Sequence, residues 1–93
     1  MHTEVLYVAV PSGKVKEFLQ KDEEIWTPWL RNQKGFLSKD SMVSSSQAVV
    51  IRIFWRSKKD MEAAAKARGY KETENRFNAA VGPYRIIPLL QKK

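Results

Sequence analysis

The chain has 93 residues, a formal net charge of +7, one histidine and no cysteine. A chain of this length makes one domain with a small core, and such domains often gain stability by associating with a second copy. The missing thiols exclude disulfides, thiolate metal sites and cysteine nucleophiles, and the lone His2 beside scattered acids cannot build a transition-metal site, so no metal is expected.

Residues 4–10, EVLYVAV, are β-branched and aromatic and end at Pro11-Ser12-Gly13, which predicts the first strand. Leu6, Val8 and Val10 fall on one side; Val5, Tyr7 and Ala9 fall on the other. Both sides are apolar, so both faces should be covered. The N-terminus lacks a basic segment and a small-residue cleavage site, and no apolar run approaches membrane-spanning length. A soluble, cytoplasmic protein is expected.

Ser12 is read as the N-cap of the helix that follows. Val15, Phe18, Leu19, Ile25, Trp26, Trp29 and Leu30 recur at three- and four-residue steps, one face of an amphipathic helix, and Asp22 lies on that face. Pro28 sits inside the pattern and predicts a kink or restart near Trp26-Thr27. Gly35 suits the left-handed position after the helix.

Phe36 to Val43 reads as a shorter, more polar strand, followed by a loop at Ser44-Ser45-Ser46-Gln47. Residues 48–55, AVVIRIFW, give the strongest strand, with Val49, Ile51, Ile53 and Trp55 on one face and Val50, Arg52 and Phe54 on the other. Ser57-x-x-Asp60 resembles a capping box. An alanine-rich helix follows, divided at Gly69, with Tyr70, Thr73, Phe77 and Val81 as its apolar stripe. Gly82-Pro83 ends it, and Tyr84 to Leu90 reads as a last strand. Pro88 makes that strand an edge or a bulged one.

The order β-α-β-β-α-β is the ferredoxin-like split arrangement: an α+β domain, residues 1–93, with one antiparallel sheet and both helices on one face. The helices leave one apolar face of the first strand uncovered. A second copy packing sheet to sheet is the simplest cover, and a homodimer is expected.

The positive charge raises nucleic acid as a partner. Residues 14–34, however, carry five Lys/Arg against four acids, and residues 61–81 carry four against three. Mixed-sign helices are solvated faces more often than phosphate-binding stripes. The third strand also lacks the glycines and stacking rings of an RNA-recognition domain. Single-stranded nucleic-acid binding therefore ranks third among the functional readings.

Two stretches carry a family resemblance: FLQKDEEIWTPWLRNQKGFLSKD, residues 18–40, and VVIRIFWRSKKDMEAA, residues 49–64. With the element order, they resemble the dimeric α+β barrel proteins that include the antibiotic-biosynthesis monooxygenases. The first stretch is similar to a small branch with a D-x-x-I-W-T-P-x-L…G-F-L pattern. The resemblance implies a two-fold dimer with its sheets facing, ligand pockets between each sheet and its helices, and oxygenation of aromatic, quinol-type substrates without metal or flavin. No cofactor is then expected. A haem-degrading branch shares the Trp-x-Ser segment at Trp55. That branch also needs an asparagine on the first strand and a histidine on the second helix, and this chain has neither, which argues against haem degradation.

The candidate site residues each admit two readings. Asp22 either pairs with a cation at the helix edge or lies in the helix–sheet cleft, where burial would raise its pKa and suit it to general-base work on a phenol or enol. Trp26 and Trp29 close the core or wall a pocket for a flat apolar ligand. Tyr7 is a buried tyrosine with a backbone partner or a phenol offered to the pocket. Trp55 anchors the third strand to the second helix and can wall a pocket. Arg52, a charge in mid-strand, needs a partner; an acid of the second subunit in the dimer interface is the favoured one, an anionic ligand group the other. The leading functional reading is a small aromatic or apolar ligand in a helix–sheet pocket. The alternative is a non-catalytic structural or regulatory dimer whose core the tryptophans fill.

Overall fold

Strand β3 (Ala48–Trp55) alternates between buried and half-buried residues along its whole length, and it organises the sheet. Val49, Ile51, Ile53 and Trp55 are buried against the helices; Val50, Arg52 and Phe54 face away. In this computed structural model, which describes residues 1–44 and 48–87, β3 pairs with β1 (His2–Ala9) on one side and β2 (Phe36–Val43) on the other. The last strand, β4 (Arg85–Ile87), pairs with the outer side of β1. The order is β2-β3-β1-β4, and every neighbour is antiparallel. This is the expected ferredoxin-like sheet, with β4 at an edge. Residues 45–47 of the expected Ser44–Gln47 loop, and the chain from Pro88 onward, lie outside the described residues.

The chain leaves β1 through a turn in which Lys14 N–H donates to Pro11 O at 3.0 Å. Ser12 lies within that turn, so it does not cap the helix as expected. Lys14 takes the N-cap position, and no side chain caps it. Helix α1 (Val15–Lys21) passes into a π-helical stretch, Asp22–Trp26, and then into α2 (Thr27–Arg31). The restart expected near Trp26-Thr27 is this π turn, in which Thr27 N–H reaches back to Asp22 O. Pro28 then follows the π turn directly, in the first turn of α2.

Gly35 carries the chain into β2 at φ +84°, a backbone conformation that glycine adopts without steric penalty. Its carbonyl accepts from Arg56 N–H at 2.7 Å, and the side chain of Asp60 lies directly against its Cα. Asp60 belongs to α3 (Lys58–Ala65), which is capped by Ser57: the Ser57 hydroxyl accepts from Asp60 N–H at 3.1 Å. The exits of both β3 and α2 are therefore locked at one glycine. Gly69, also at positive φ, separates α3 from α4 (Tyr70–Val81).

All helices lie on one face of the sheet, where Val8, Phe18, Leu30, Val49, Ile51 and Phe77 form the core. The other face carries Val5, Tyr7, Val50, Phe54 and Met42. None of the described elements covers it: Tyr7 is 36% exposed and Met42 53%. Among the described residues no helix is long and apolar enough to cross a membrane.

Replacing Gly35 by alanine would force a Cβ into the Asp60 side chain at a backbone conformation that L-residues avoid. Gly35→Ala is expected to lower stability by roughly 2–3 kcal/mol, measured by urea denaturation. A loss below about 0.5 kcal/mol, the range of neutral surface changes, would show that this junction does not constrain the fold.

Candidate functional site

A cavity of about 130 Å³ lies between the sheet and the helices. Leu6, Ile51 and Ile53 form its floor. Its helix-side wall is aromatic. Trp26, Trp29 and Tyr70 meet pairwise, with ring centroids 5.3–5.8 Å apart. Phe18, Phe77 and Tyr84 form a second trio at 5.2–5.7 Å. All of these pairs but Trp26–Tyr70, which is tilted at 52°, meet edge to face at 68–81°, the geometry that ring quadrupoles favour.

One end of the cavity is charged. Lys39, on β2, forms an ion pair with Asp22, and each side chain is only 6% exposed. Lys39 Nζ also donates to Thr27 Oγ1 at 3.0 Å, and Thr27 in turn donates to Glu23 Oε1 at 2.8 Å. The π turn makes this cluster. In a regular α-helix two residues five apart point about 140° away from each other. The i→i+5 spacing of the π turn brings Asp22 and Thr27 onto one face, both against Lys39. Burial pushes the Asp22 carboxyl up from the usual carboxylate range; the Lys39 ammonium draws it back in part, and Glu23 adds to the rise.

At the other end, Trp55 is 1% exposed, and its indole N–H donates to Glu4 Oε1 at 3.1 Å. Glu74 and Tyr70, both on α4, line the same cavity. Burial raises the Tyr70 hydroxyl pKa, and the charges of Glu74 and Glu4 raise it further. Among the described residues no group of three or more histidines, cysteines and acids is placed to hold a metal ion.

The structure brings Asp22, Trp26, Trp29 and Trp55 to the cavity. Tyr7 is not among its lining residues. It pairs in register with Val50 and Ile87, on the face turned away from the helices, which corrects its reading as a pocket phenol. It is also exposed rather than buried. Arg52 shares the outer face. Its Nε and Nη2 donate to the two oxygens of Asp40 at 2.8 and 2.6 Å, so within the chain it has an acid partner on the neighbouring strand. His2 stands at the end of β1 opposite Trp55 and does not itself line the cavity.

Sequence reasoning missed Lys39 and Glu4. Glu4 shares the even-numbered face of β1 with Leu6 and Val8, and that alternation could have found it. Lys39 was hidden by a bulge between Phe36 and Ser38, which reverses which positions face inward.

The Asp22–Lys39 pair makes a pH-dependent prediction. Lys39→Met would leave a buried carboxylate without a cation, and the expected loss at pH 7 is about 3–5 kcal/mol. Because the folded-state pKa of Asp22 is raised, the folded chain favours the protonated acid. That stabilisation is present in acid and is lost as pH rises through the folded pKa. The deficit of Lys39→Met should therefore shrink toward pH 4. Urea denaturation at pH 7 and pH 4 checks this; equal losses at both would refute the ion-pair account.

The chain matches the antibiotic biosynthesis monooxygenase family over residues 1–76. No curated protein matches it. Among solved structures, a monooxygenase from the gene ActVA-Orf6 of Streptomyces coelicolor, in complex with nanaomycin D, superposes with a TM-score of 0.70 at 18% identity, over 98% of this chain and 87% of that one. SnoaB, a cofactor-independent oxygenase from Streptomyces nogalater, gives 0.69 at 16% identity, over 97% of this chain and 93% of that one. PA3566 from Pseudomonas aeruginosa gives 0.60 at 17% identity, over 98% and 93%. At these identities the structural likeness speaks for the fold alone. The family match spans most of the chain and takes in β1, the π turn, β2, β3 and most of α4. The chain belongs to the antibiotic biosynthesis monooxygenase family.

Proposed function

We propose that the chain binds a small phenolic or quinol-type ring in the helix–sheet cavity and oxygenates it with no metal or flavin. The observation that carries this reading is the cavity itself: aromatic walls, with a buried carboxyl of raised proton affinity held against a lysine at one end. Its volume of about 130 Å³ is close to that of an apolar cavity of about 150 Å³ known to take benzene. One ring fits, and fused rings exceed that volume.

In this reading the phenol hydroxyl gives its proton to Asp22, and Lys39 stabilises the phenolate oxygen that results. The phenolate is electron-rich enough to reduce dioxygen itself. One oxygen atom enters the ring as a carbonyl; the other leaves as water with the two hydrogens that the ring loses. The protein's share is to bind, deprotonate and shield. The structural neighbours described as a cofactor-independent oxygenase and a ligand-bound monooxygenase support the same class of chemistry.

Oxygen uptake measured across a panel of single-ring phenols and hydroquinones tests this. Turnover is expected for at least one member, and Asp22→Asn should lower kcat by about 100-fold or more, as loss of a general base does. A second reading is favoured by one observation: Trp26, Trp29 and Tyr70 already satisfy one another's faces. If no panel member is consumed, quenches tryptophan fluorescence or raises Tm, the aromatic cluster is core and the chain is a non-catalytic dimer.

We also infer that a second copy covers the open sheet face. Val5, Tyr7, Val50 and Phe54 make an apolar strip there that a two-fold partner would bury. Light scattering on a sizing column at low micromolar concentration should give twice the chain mass. A folded species at the single-chain mass would refute the dimer.

A further inference from the structure

The register of the sheet places Glu4, Ile53 and Lys39 in one row. Glu4 pairs with Ile53 across β1–β3, and Lys39 pairs with Ile53 across β2–β3. Alternation puts all three on the helix-facing side. The two charged residues are two strand spacings apart, about 10 Å between their backbones, with Ile53 between them as floor. Asp22 stands over the Lys39 end. The cavity therefore has a polar anchor at each end of one sheet row.

The two ends are not alike. The Asp22 charge is met by Lys39. Among the described residues Glu4 has only the Trp55 N–H on Oε1, and no lysine or arginine pairs with it. A carboxylate in an aromatic cavity with acceptor capacity to spare is complemented by a hydrogen-bond donor. The lining as a whole has three carboxylates, Glu4, Asp22 and Glu74, against one ammonium. A carboxylate on the ligand would meet Glu4 at one end or Asp22 at the other.

We infer that Glu4 is a specificity-determining residue: it accepts a hydrogen bond from a hydroxyl or amino group on the far edge of the bound ring, and the cavity takes rings with a donor at both ends while rejecting aromatic carboxylates. This assignment rests on the reading of the cavity as an aromatic-ligand site. Trp55 serves it by fixing the Glu4 carboxylate, so the residue first noted at the end of β3 acts through its neighbour.

Calorimetric titration of the full chain at pH 7 with three probes of similar ring size decides it. Hydroquinone has a donor at each end, 4-methoxyphenol lacks one, and 4-hydroxybenzoate replaces one with a carboxylate. Hydroquinone should bind about 10-fold more tightly than either, the effect of one hydrogen bond to a charged group. In Glu4→Gln the carbonyl can serve Trp55 while the amide offers a donor to the ligand. The preference for hydroquinone over 4-methoxyphenol should then fall below about 3-fold, with 4-hydroxybenzoate gaining. Wild-type chain that binds all three alike overturns the assignment and leaves the aromatic site standing, and so does a preference that survives in Glu4→Gln. Binding of none of the three overturns the assignment together with the aromatic-site reading. If Glu4→Gln fails to fold, the wild-type ranking decides alone.

Discussion

The buried pair between Asp22 and Lys39 ties the helical layer to the sheet, and the local geometry of both layers is arranged around it. Two side chains that are 6% exposed and oppositely charged hold only if each finds the other and its remaining hydrogen-bonding groups are met. Thr27 meets one proton of the lysine, and Glu23, 66% exposed, links the cluster to solvent from 3.7 Å. A regular helix would have turned Thr27 away. The π turn keeps it in, and Pro28, which deprives the helix of one N–H, follows directly on that turn. Backbone irregularity and buried charge are thus one feature. Desolvation wins over the attraction of Lys39 in setting the acid's proton affinity. A better-solvated Asp22 would be a weaker base.

What was legible in the sequence follows from which patterns are local. The alternation in AVVIRIFW is uninterrupted, so β3 and its inward residues could be assigned one by one. Gly35, Gly69 and the Ser57 cap were legible because each acts on its own few residues. Asp22 was placed on the inner helix face by spacing alone, but its partner could not be named. Lys39 lies beyond a bulge that lets Phe36 and Lys39, three residues apart, face the same way. Simple alternation would put them on opposite faces. Tyr7 failed for the opposite reason: its position was counted correctly, opposite Leu6 and Val8, but the pocket lies on their side. Ser12 failed because a turn delays the helix by two residues.

Trp55 shows how packing and recognition share one side chain. An indole at 1% exposure needs an acceptor for its N–H. Glu4, one sheet row away on the adjacent strand, supplies the oxygen. The ring packs against Phe36 at the end of β3 while its N–H bonds a carboxylate that lines the cavity. The anchor reading of Trp55 and the pocket reading are therefore compatible, because different atoms of the residue perform the two tasks.

The sheet is one layer thick, so its central strand works on both sides at once. Ile53 floors the cavity, and the next residue back, Arg52, closes a two-bond contact with Asp40 on the reverse face. Asp40 is likewise the neighbour of Lys39. The edge strand β2 is polar and has few apolar contacts of its own, yet it is held to the rest on both faces by charge: Lys39 reaches up to Asp22, and Asp40 reaches across to Arg52, which holds the Asp40 carboxyl below the usual range. That second pair bears on how the open face can be covered. An arginine in mid-strand would demand an acid from any partner laid over it. Neutralised within its own chain, with its guanidinium 5.4 Å from the centre of the Phe54 ring, it demands none. A second sheet laid over that face would then need no complementary charge opposite Arg52.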